Sequence, residues 1–302
     1  MTLSVCIATY RRTERLAALL DDLARQTLLP EQVVVVDNDA GGSARSVIEH
    51  CNGAGVPYEL RYGIQPERNI ALTRNVSVSM ANGELLVFVD DDQRAPATWL
   101  RQLVDCATAN DADAVLGAVE PVVPADAPAW VHRGNFYDFP KLSTGQPVPL
   151  NRLRIGNALV RGSLLRSLPG PFDVRYGLAT GEDADMLIRL VNQGARIVAS
   201  AEAKVQEPIE RARLKLRWLL QRGFSGGQEF ARKATTGKYG TMSALTRSAF
   251  YVRAGAQLGI AALLSIFMLP VGRHHCVHWL IVGAANFGKL STLAGWRYSE
   301  YA

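Results

Sequence analysis

A chain of 302 residues with 48% apolar and 20% charged residues holds enough material for one substantial packed domain and an appendage, which excludes wholesale disorder. Its net charge of +5 is concentrated late: Arg211 to Arg253 carries ten Lys/Arg against the single acid Glu229, the mark of a solvated helix face or of a surface meeting anionic lipid or nucleic acid. The four cysteines, Cys6, Cys51, Cys106 and Cys276, are far apart with no C-x-x-C, which excludes a disulfide framework or zinc cluster and suits a reducing compartment.

Leu3 to Ala8 reads as a strand with no basic leader ahead of it, so the catalytic part is expected in the cytoplasm. Thr13 to Arg25 predicts a helix with Leu16, Leu19, Leu20 and Leu23 on one face. Val33 to Val36 is a continuous β-branched run ending in Asp37, as in a strand buried on both faces. A Gly-Gly-Ser turn then opens a helix to about Cys51. Tyr58 to Tyr62 is a third strand, Ile70 to Ala81 a third helix, and Leu85 to Val89 a fourth strand running into Asp90-Asp91-Asp92. Pro96 to Asn110 is the next helix, with proline near its first turn. This alternation predicts a mainly parallel sheet that gathers ligands at the carboxyl ends of its strands, where Asp37 and Asp90 to Asp92 fall.

After Val119 the pattern loosens, and Pro121 to Pro149, rich in Pro, Gly and aromatics, reads as an excursion over the acceptor side of a cleft. Regularity resumes at Ile155 to Val160, followed by a helix from Asp183 to Gln193, a strand over Arg196 to Ser200 and a basic amphipathic helix over Arg213 to Phe224. Gly255 to Val271 is seventeen residues without a charge, and Val277 to Phe287 is a second apolar run. A bilayer crossing takes roughly 20 apolar residues, so a hairpin in one leaflet, helices lying on the surface, and ordinary core helices all stay open. His274, His275 and His278 between and beside these runs have no carboxylate near in sequence and read as interfacial.

Adjacent carboxylates repel one another, so a site that keeps Asp90, Asp91 and Asp92 at a strand end is suited to a cation. A divalent ion held by one or two carboxylates and substrate phosphate neutralises a departing diphosphate. A surface acidic turn is the plain alternative. The surrounding motifs favour the site. In order they are Val5-Cys6-Ile7-Ala8-Thr9-Tyr10, Val35-Val36-Asp37-Asn38-Asp39, Arg68-Asn69-Ile70-Ala71-Leu72-Thr73-Arg74-Asn75, Phe88-Val89-Asp90-Asp91-Asp92, Gly156-Asn157-Ala158, Gly181-Glu182-Asp183-Ala184-Asp185, and Arg217-Trp218 with Arg222. Across nearly the whole chain this series resembles the family 2 glycosyltransferases of the GT-A fold, nearest to bacterial exopolysaccharide enzymes of the succinoglycan type.

The resemblance implies roles for particular residues. Thr9, Tyr10 and Arg12 would border the nucleotide; Asp37 and Asp39 would contact base and ribose, with a helix-initiating turn as their plain alternative; Arg74 would contact the diphosphate or base; Asp92 would be the metal ligand, with Asp90 and Asp91 supporting it or binding the ribose. Asp183 would be the base that takes the acceptor hydroxyl proton, with helix capping as its alternative task. Glu182, Asn157, Arg217, Trp218 and Arg222 would serve the acceptor or diphosphate, although a basic helix docked on the domain or on lipid accounts for the last three as well. Leu214 stands where processive members of the wider family carry Gln, which implies a single transfer per encounter.

The expectation is therefore an α/β, GT-A domain, Rossmann-like with a mainly parallel sheet and flanking helices, over residues 1–210, with a nucleotide-sugar half to 119 and an acceptor half from 120. A basic, apolar, membrane-associated helical segment follows over 211–302. The expected reaction is inverting, non-processive and dependent on Mg²⁺ or Mn²⁺, from a UDP-sugar, UDP-glucose first, to a polyprenyl-diphosphate-linked glycan. Its expected place is the cytoplasmic face of the inner membrane, held peripherally or integrally, and no nucleic-acid partner is expected. Two rivals stay open. A sugar-phosphate nucleotidyltransferase would carry a Gly-rich loop after the first strand, where this chain has Ala8-Thr9-Tyr10-Arg11-Arg12-Thr13; a non-catalytic membrane-bound scaffold would predict decayed acidic motifs.

Overall fold

The computed structural model describes residues 1–138, 140–176 and 181–296. In chain order the elements are β1 (Leu3–Thr9), α1 (Thr13–Ala24), β2 (Gln32–Asp37), α2 (Arg45–Ala54), β3 (Glu59–Ile64), α3 (Ile70–Met80), β4 (Leu85–Val89), α4 (Trp99–Ala109), β5 (Ala114–Val122), α5 (Ala129–Gly134), β6 (Asn157–Arg161), α6 (Gly162–Arg166), α7 (Glu182–Asn192), β7 (Ile197–Pro208), α8 (Leu216–Thr235), α9 (Ala244–Phe267) and α10 (Arg273–Ser291). They form two compact units, Met1–Glu120 with Pro140–Pro208, and Pro121–Phe139 with Ile209–Ala302.

The first unit is built on a seven-stranded sheet in the order β3-β2-β1-β4-β6-β5-β7. Parallel pairing joins β3, β2, β1 and β4, and the sense reverses where β6 pairs antiparallel with β4, Leu85 facing Arg161 and Val89 facing Asn157. Every residue of β2 and β4 is buried, as continuous apolar runs between helices require. The leucine stripe of α1 packs with Val33, Val35, Val87, Trp99, Leu100 and Leu103 in one core. The loop after β4 is pinned from below: Arg94 donates to both oxygens of Asp22 (2.6 and 2.7 Å), and the Ala95 N–H donates to the same carboxylate (3.1 Å).

The second unit is helical. Val131, Tyr137, Leu214, Leu219 and Val277 form its buried core with the partly covered ring of Trp218. Helix α8 passes so close to α10 that a methyl group on Gly227 would meet the Ala285 carbonyl, and one on Gly288 would meet the Phe224 carbonyl. Gln228 is fully buried at this contact and donates to Ser291 Oγ (2.7 Å) and the Trp296 carbonyl (3.1 Å). Helix α9 instead leaves large apolar side chains outside, among them Val252, Ile260, Leu263, Ile266 and Phe267. Among the described residues α9 is the one helix long and apolar enough to cross a membrane, judged by length and composition.

Several elements run further than periodicity predicts. The strand expected over Arg196 to Ser200 continues to Pro208, and the basic helix expected to end at Phe224 continues to Thr235. Strand β5 and the short helices α5 and α6 arise where no element is predicted.

Candidate active site

The site of the first unit gathers at the carboxyl ends of β1, β2 and β4. At the end of β1, Arg11 takes φ 54°, a left-handed conformation that costs a non-glycine residue about 1–2 kcal/mol. Its N–H donates to Ser43 Oγ (3.3 Å), and its guanidinium meets Asp39 at 3.1 Å. The kink sends successive side chains to different tasks. Thr9 donates to Asp91 (2.8 Å), and Arg12 donates to Asp91 (2.9 Å) and Asp92 (3.2 Å). The Tyr10 ring has the guanidinium groups of Arg11 and Arg68 each 5.2 Å from its centroid. Arg15, one turn along α1, adds a second cation 3.7 Å from Asp92.

At the end of β2 the structure separates the two acids. Asp37 is fully buried and accepts from Asp39 N–H (2.9 Å), Ala44 N–H (2.8 Å), Ser43 Oγ (3.3 Å) and Tyr62 OH (3.1 Å). Its carboxylate shapes the turn that leads into α2. Asp39 keeps its place at the surface of that turn, and the hydrogen bond from Arg11 holds its carboxyl below the usual range. Asn38 supplies the next link by donating to the carbonyls of Gln65 (2.8 Å) and Glu67 (2.5 Å) and accepting from Asn69 N–H (3.1 Å). Asn69 in turn caps α3, accepting from Ala71 N–H (3.1 Å) and Leu72 N–H (3.3 Å). That cap fixes the helix on which Arg74 stands.

Arg74 is the hub. Its guanidinium pairs with Glu182, lies 3.6 Å from Asp90, and sits 5.8 Å from the centroid of the Phe172 ring. Both Arg74 and Glu182 are largely buried, with 13% and 5% of their side chains exposed. Asp90 keeps 47% of its side-chain surface. Protein nonetheless encloses it closely enough that desolvation, opposed by Arg74 and aided by Asp92, Asp91 and Glu207, pushes its carboxyl up to about 7. Burial also raises Asp91, against the pull of Arg12 and Thr9.

Helix α7 begins at Gly181, whose φ of 110° suits glycine and which offers no side-chain cap. Glu182, Asp183 and Asp185 all fall in the first turn, where the helix dipole favours negative charge. Asp183 is thus a first-turn residue and not the cap. It is partly exposed, and its oxygens accept from Ala184 N–H (2.7 Å) and Ile155 N–H (3.3 Å). Asn157, one of the expected acceptor or diphosphate residues, is buried, accepts from Trp99 Nε1 (2.9 Å), and donates to the carbonyls of Ala118 (2.8 Å) and Ala203 (2.9 Å). It ties β5, β6, β7 and α4 together.

Arg217, Trp218 and Arg222 belong to the second unit. Trp218 packs beside Tyr137, with ring centroids 6.2 Å apart, and under the Arg213 guanidinium at 5.8 Å, while Arg217 and Arg222 are exposed on α8. Sequence reading passed over Arg11, Arg15 and Arg68. The signals were present: Arg11 and Arg12 adjoin at a strand end, and Arg15 lies one helical turn from Arg12.

Among the described residues no group of three or more His, Cys, Asp and Glu side chains is arranged to hold a metal ion. The donor set still fits an ion shared with substrate. Asp90 and Asp92 are the one or two carboxylates that Mg²⁺ or Mn²⁺ would take with phosphate completing its shell; Asp90 keeps 47% of its side-chain surface open to such an ion.

Comparison with known proteins agrees with this geometry. The glycosyl transferase family 2 model matches residues 4–164. The chain is 33% identical over 276 residues to the succinoglycan biosynthesis protein ExoM of Rhizobium meliloti, covering 89% of this chain and 85% of that protein. It is 25% identical over 248 residues to the glucosyl-dolichyl phosphate glucuronosyltransferase of Haloferax volcanii, covering 75% of each. Among solved structures, the mannosyltransferase PcManGT of Pyrobaculum calidifontis with GDP-Man and Mn²⁺ superposes with a TM-score of 0.62 at 19% identity, covering 95% of this chain and 86% of that one. S. aureus TarS 1–349 with UDP-GlcNAc gives 0.56 at 18% identity, covering 99% and 93%. The α/β sheet is thus that of the GT-A structures.

Proposed function

The chain belongs to glycosyl transferase family 2, and from that premise we propose that it is an inverting, non-processive enzyme that moves one sugar from a UDP-sugar, UDP-glucose first, to a polyprenyl-diphosphate-linked glycan in exopolysaccharide synthesis. The observation that carries this reading is the position of Arg74. One buried guanidinium links the acidic triplet at Asp90 to the Glu182-Asp183 turn, so two motifs 92 positions apart by number (182 less 90) serve one place in the first unit. Asp183 is then the base: its partly exposed carboxylate takes the acceptor hydroxyl proton as that oxygen attacks the anomeric carbon opposite the diphosphate. Asp92, with Asp90, would hold Mg²⁺ or Mn²⁺, and a bound ion would neutralise charge growing on the departing diphosphate. Tyr10, Arg11, Arg68 and Asp39 form the nucleotide side, offering a ring with two cations and an acid able to accept from sugar hydroxyls.

The relatives support the coarser part of this reading. ExoM is named for succinoglycan biosynthesis and the Haloferax protein for a dolichyl phosphate substrate, so a lipid-borne acceptor at the cytoplasmic face of the membrane is the natural counterpart of the exposed apolar side chains on α9. Family membership displaces the nucleotidyltransferase and scaffold readings.

The deciding experiment is UDP release from a panel of UDP-sugars by the full chain with lipid extract, with and without Mn²⁺ or Mg²⁺, beside Asp92→Asn and Asp183→Asn. Turnover of one donor only with metal, lost in both variants, supports the assignment. Asp183→Asn is expected to lose about 10²–10⁴-fold in turnover while still binding UDP. Metal-independent turnover, or an Asp183→Asn enzyme of full activity, overturns it.

A further inference from the structure

Length and composition would let α9 cross a membrane, but the helices packed on it decide how it meets one. It carries no Asp, Glu, Lys or Arg from residue 254 to 272, a stretch bounded by Arg253 and Arg273. That is nearly the roughly 20 residues a crossing takes. Along one side of the helix Ala254, Ala261 and Ser265 are buried. This side faces α10, where a methyl group on Gly283 would touch Ala261 and Leu258. On the other side Val252, Ile260, Leu263, Ile266 and Phe267 are each more than half exposed, and the apolar surface continues through Leu269 and Val271 in the turn towards α10.

A crossing would carry two further helices into the bilayer. Helices α9 and α10 run antiparallel, in a register set by the approach of Gly283 to Ala261 and by the hydrogen bond between the Tyr251 and Thr292 hydroxyls (3.1 Å). Helix α8 runs in the same direction as α10: Gly223 lies against Ile281 and Ala284, and Gln228, further along, donates to Ser291 Oγ (2.7 Å). Ala261, near the middle of the uncharged stretch, is therefore level with Gly223, and beside Gly223 stands the exposed Arg222. Arg217 and Glu229 follow at roughly 8 and 11 Å along the α8 axis, inside the ~15 Å half-thickness of a hydrocarbon core. An upright α9 would thus hold a guanidinium near mid-bilayer with further charges above and below it, where ionisable groups are most costly. Laid in the plane of the interface, the same helix sinks only its apolar side into the acyl boundary. Helix α10 turns Gly283 to α9 but Ala285 and Gly288 to α8, so α8 then stays on the water side.

Charge selects the occupant of the apolar side. Residues 211–296 hold twelve Lys/Arg against one acid, Glu229, and that acid pairs with Lys233 (2.5 Å). Two copies of the chain meeting through α9 would oppose cation to cation, whereas an anionic leaflet attracts such a surface. We propose that α9 docks flat on an anionic phospholipid leaflet, its exposed apolar side among the acyl chains and its flanking arginines among the headgroups, without crossing. This deepens the membrane placement proposed above and rests on it.

The first test is topological. The full chain carrying Pro270→Cys, an exposed position in the turn after α9, is produced in bacterial cells, and intact spheroplasts are treated with a membrane-impermeant maleimide. No labelling above that of the parent chain is expected until the membrane is broken. Labelling of intact spheroplasts means that the turn has reached the far side, which overturns the proposal. The second test is sedimentation of the purified full chain with phosphatidylcholine vesicles, with and without phosphatidylglycerol. Phosphatidylglycerol should tighten binding about tenfold or more, and Arg247→Ala with Arg253→Ala should remove most of that gain. Leu263→Asp with Ile266→Asp should weaken binding to both vesicles about tenfold or more, with thermal melting as the check that each variant is folded. Equal affinity for the two vesicles, or unchanged binding by the folded Leu263→Asp/Ile266→Asp chain, overturns the proposal. So does a stable dimer that this variant dissociates, because a second copy then covers α9. UDP-sugar turnover with lipid extract, measured alongside, keeps the two readings apart. Turnover by a chain that crosses overturns the flat docking alone, whereas a flat-docked chain that turns over no UDP-sugar overturns the donor assignment alone.

Discussion

The two units satisfy their side chains in opposite ways. In the first, charge is buried and answered: Asp37 has four donors, Arg74 two acids, Asp22 a two-pronged guanidinium and an amide. In the second, Lys233 is likewise buried against Glu229, but Leu263, Ile266 and Phe267 stay outside. Buried charges that are answered hold a site to a fixed geometry. A surface that leaves large apolar groups exposed is shaped for something that comes from outside.

The sharpest way to break that contrast is to remove the hub. Arg74→Met leaves Glu182 buried without its cation, and such a loss costs about 3–5 kcal/mol; urea unfolding should show it, and UDP-sugar turnover should vanish with it. If Arg74→Met melts like the parent, the first unit is less tightly interlocked than its contacts imply. The next largest effect is at Asp22. Asp22→Asn weakens charge-assisted bonds that are each worth about 1.5–3 kcal/mol. Burial alone would raise the Asp22 carboxyl, but Arg94, the Ala95 amide and Arg25 outweigh it and bring it below its ordinary value. A group with a depressed folded pKa adds stability above its unfolded pKa and loses it as pH falls through the folded one. The gap between parent and Asp22→Asn should therefore be full at pH 7 and close below about pH 4. A gap that stays constant on acidification would assign Asp22 to packing instead.

Asn157→Ala leaves the Ala118 and Ala203 carbonyls and the Trp99 indole without their partner, at about 1–3 kcal/mol, read by thermal melting. The mildest change sharpens the contrast from the other side. Leu263→Ser on α9 should alter stability by less than about 0.5 kcal/mol, as for surface positions, yet reduce sedimentation with anionic vesicles. A folded Leu263→Ser protein that sediments as before would sever the apolar face from lipid.

The same contrast explains what the sequence made legible. Strands β1, β2 and β4 stand out because strands buried on both faces are unbroken apolar runs, and their terminal acids mark the site. Beyond Ser200, β7 escapes notice because Glu202, Lys204 and Gln206 alternate with Ala203 and Val205, a period-two signal hidden by its charges. Helix α8 runs past the expected end at Phe224 to Thr235, through Gly227, where the Ala285 carbonyl of α10 needs the space that a side chain would fill. Asp37 and Asn157 show the limit within the site. Residue type and order placed them at the cleft, but only packing shows the groups they bond, while Arg11, Arg15 and Arg68 gain their meaning from partners distant in sequence.

The antiparallel register of β5 with β6, Ala114 facing Val160 and Leu116 facing Ala158, has a consequence for how such an enzyme diversifies. The chain leaves β5 and returns in the neighbouring strand, so everything between them is in topological terms one very long hairpin connection. Lengthening such a connection is cheap, about 0.6 kcal/mol for each doubling. A lineage could graft new sequence there without re-registering a single strand of the sheet.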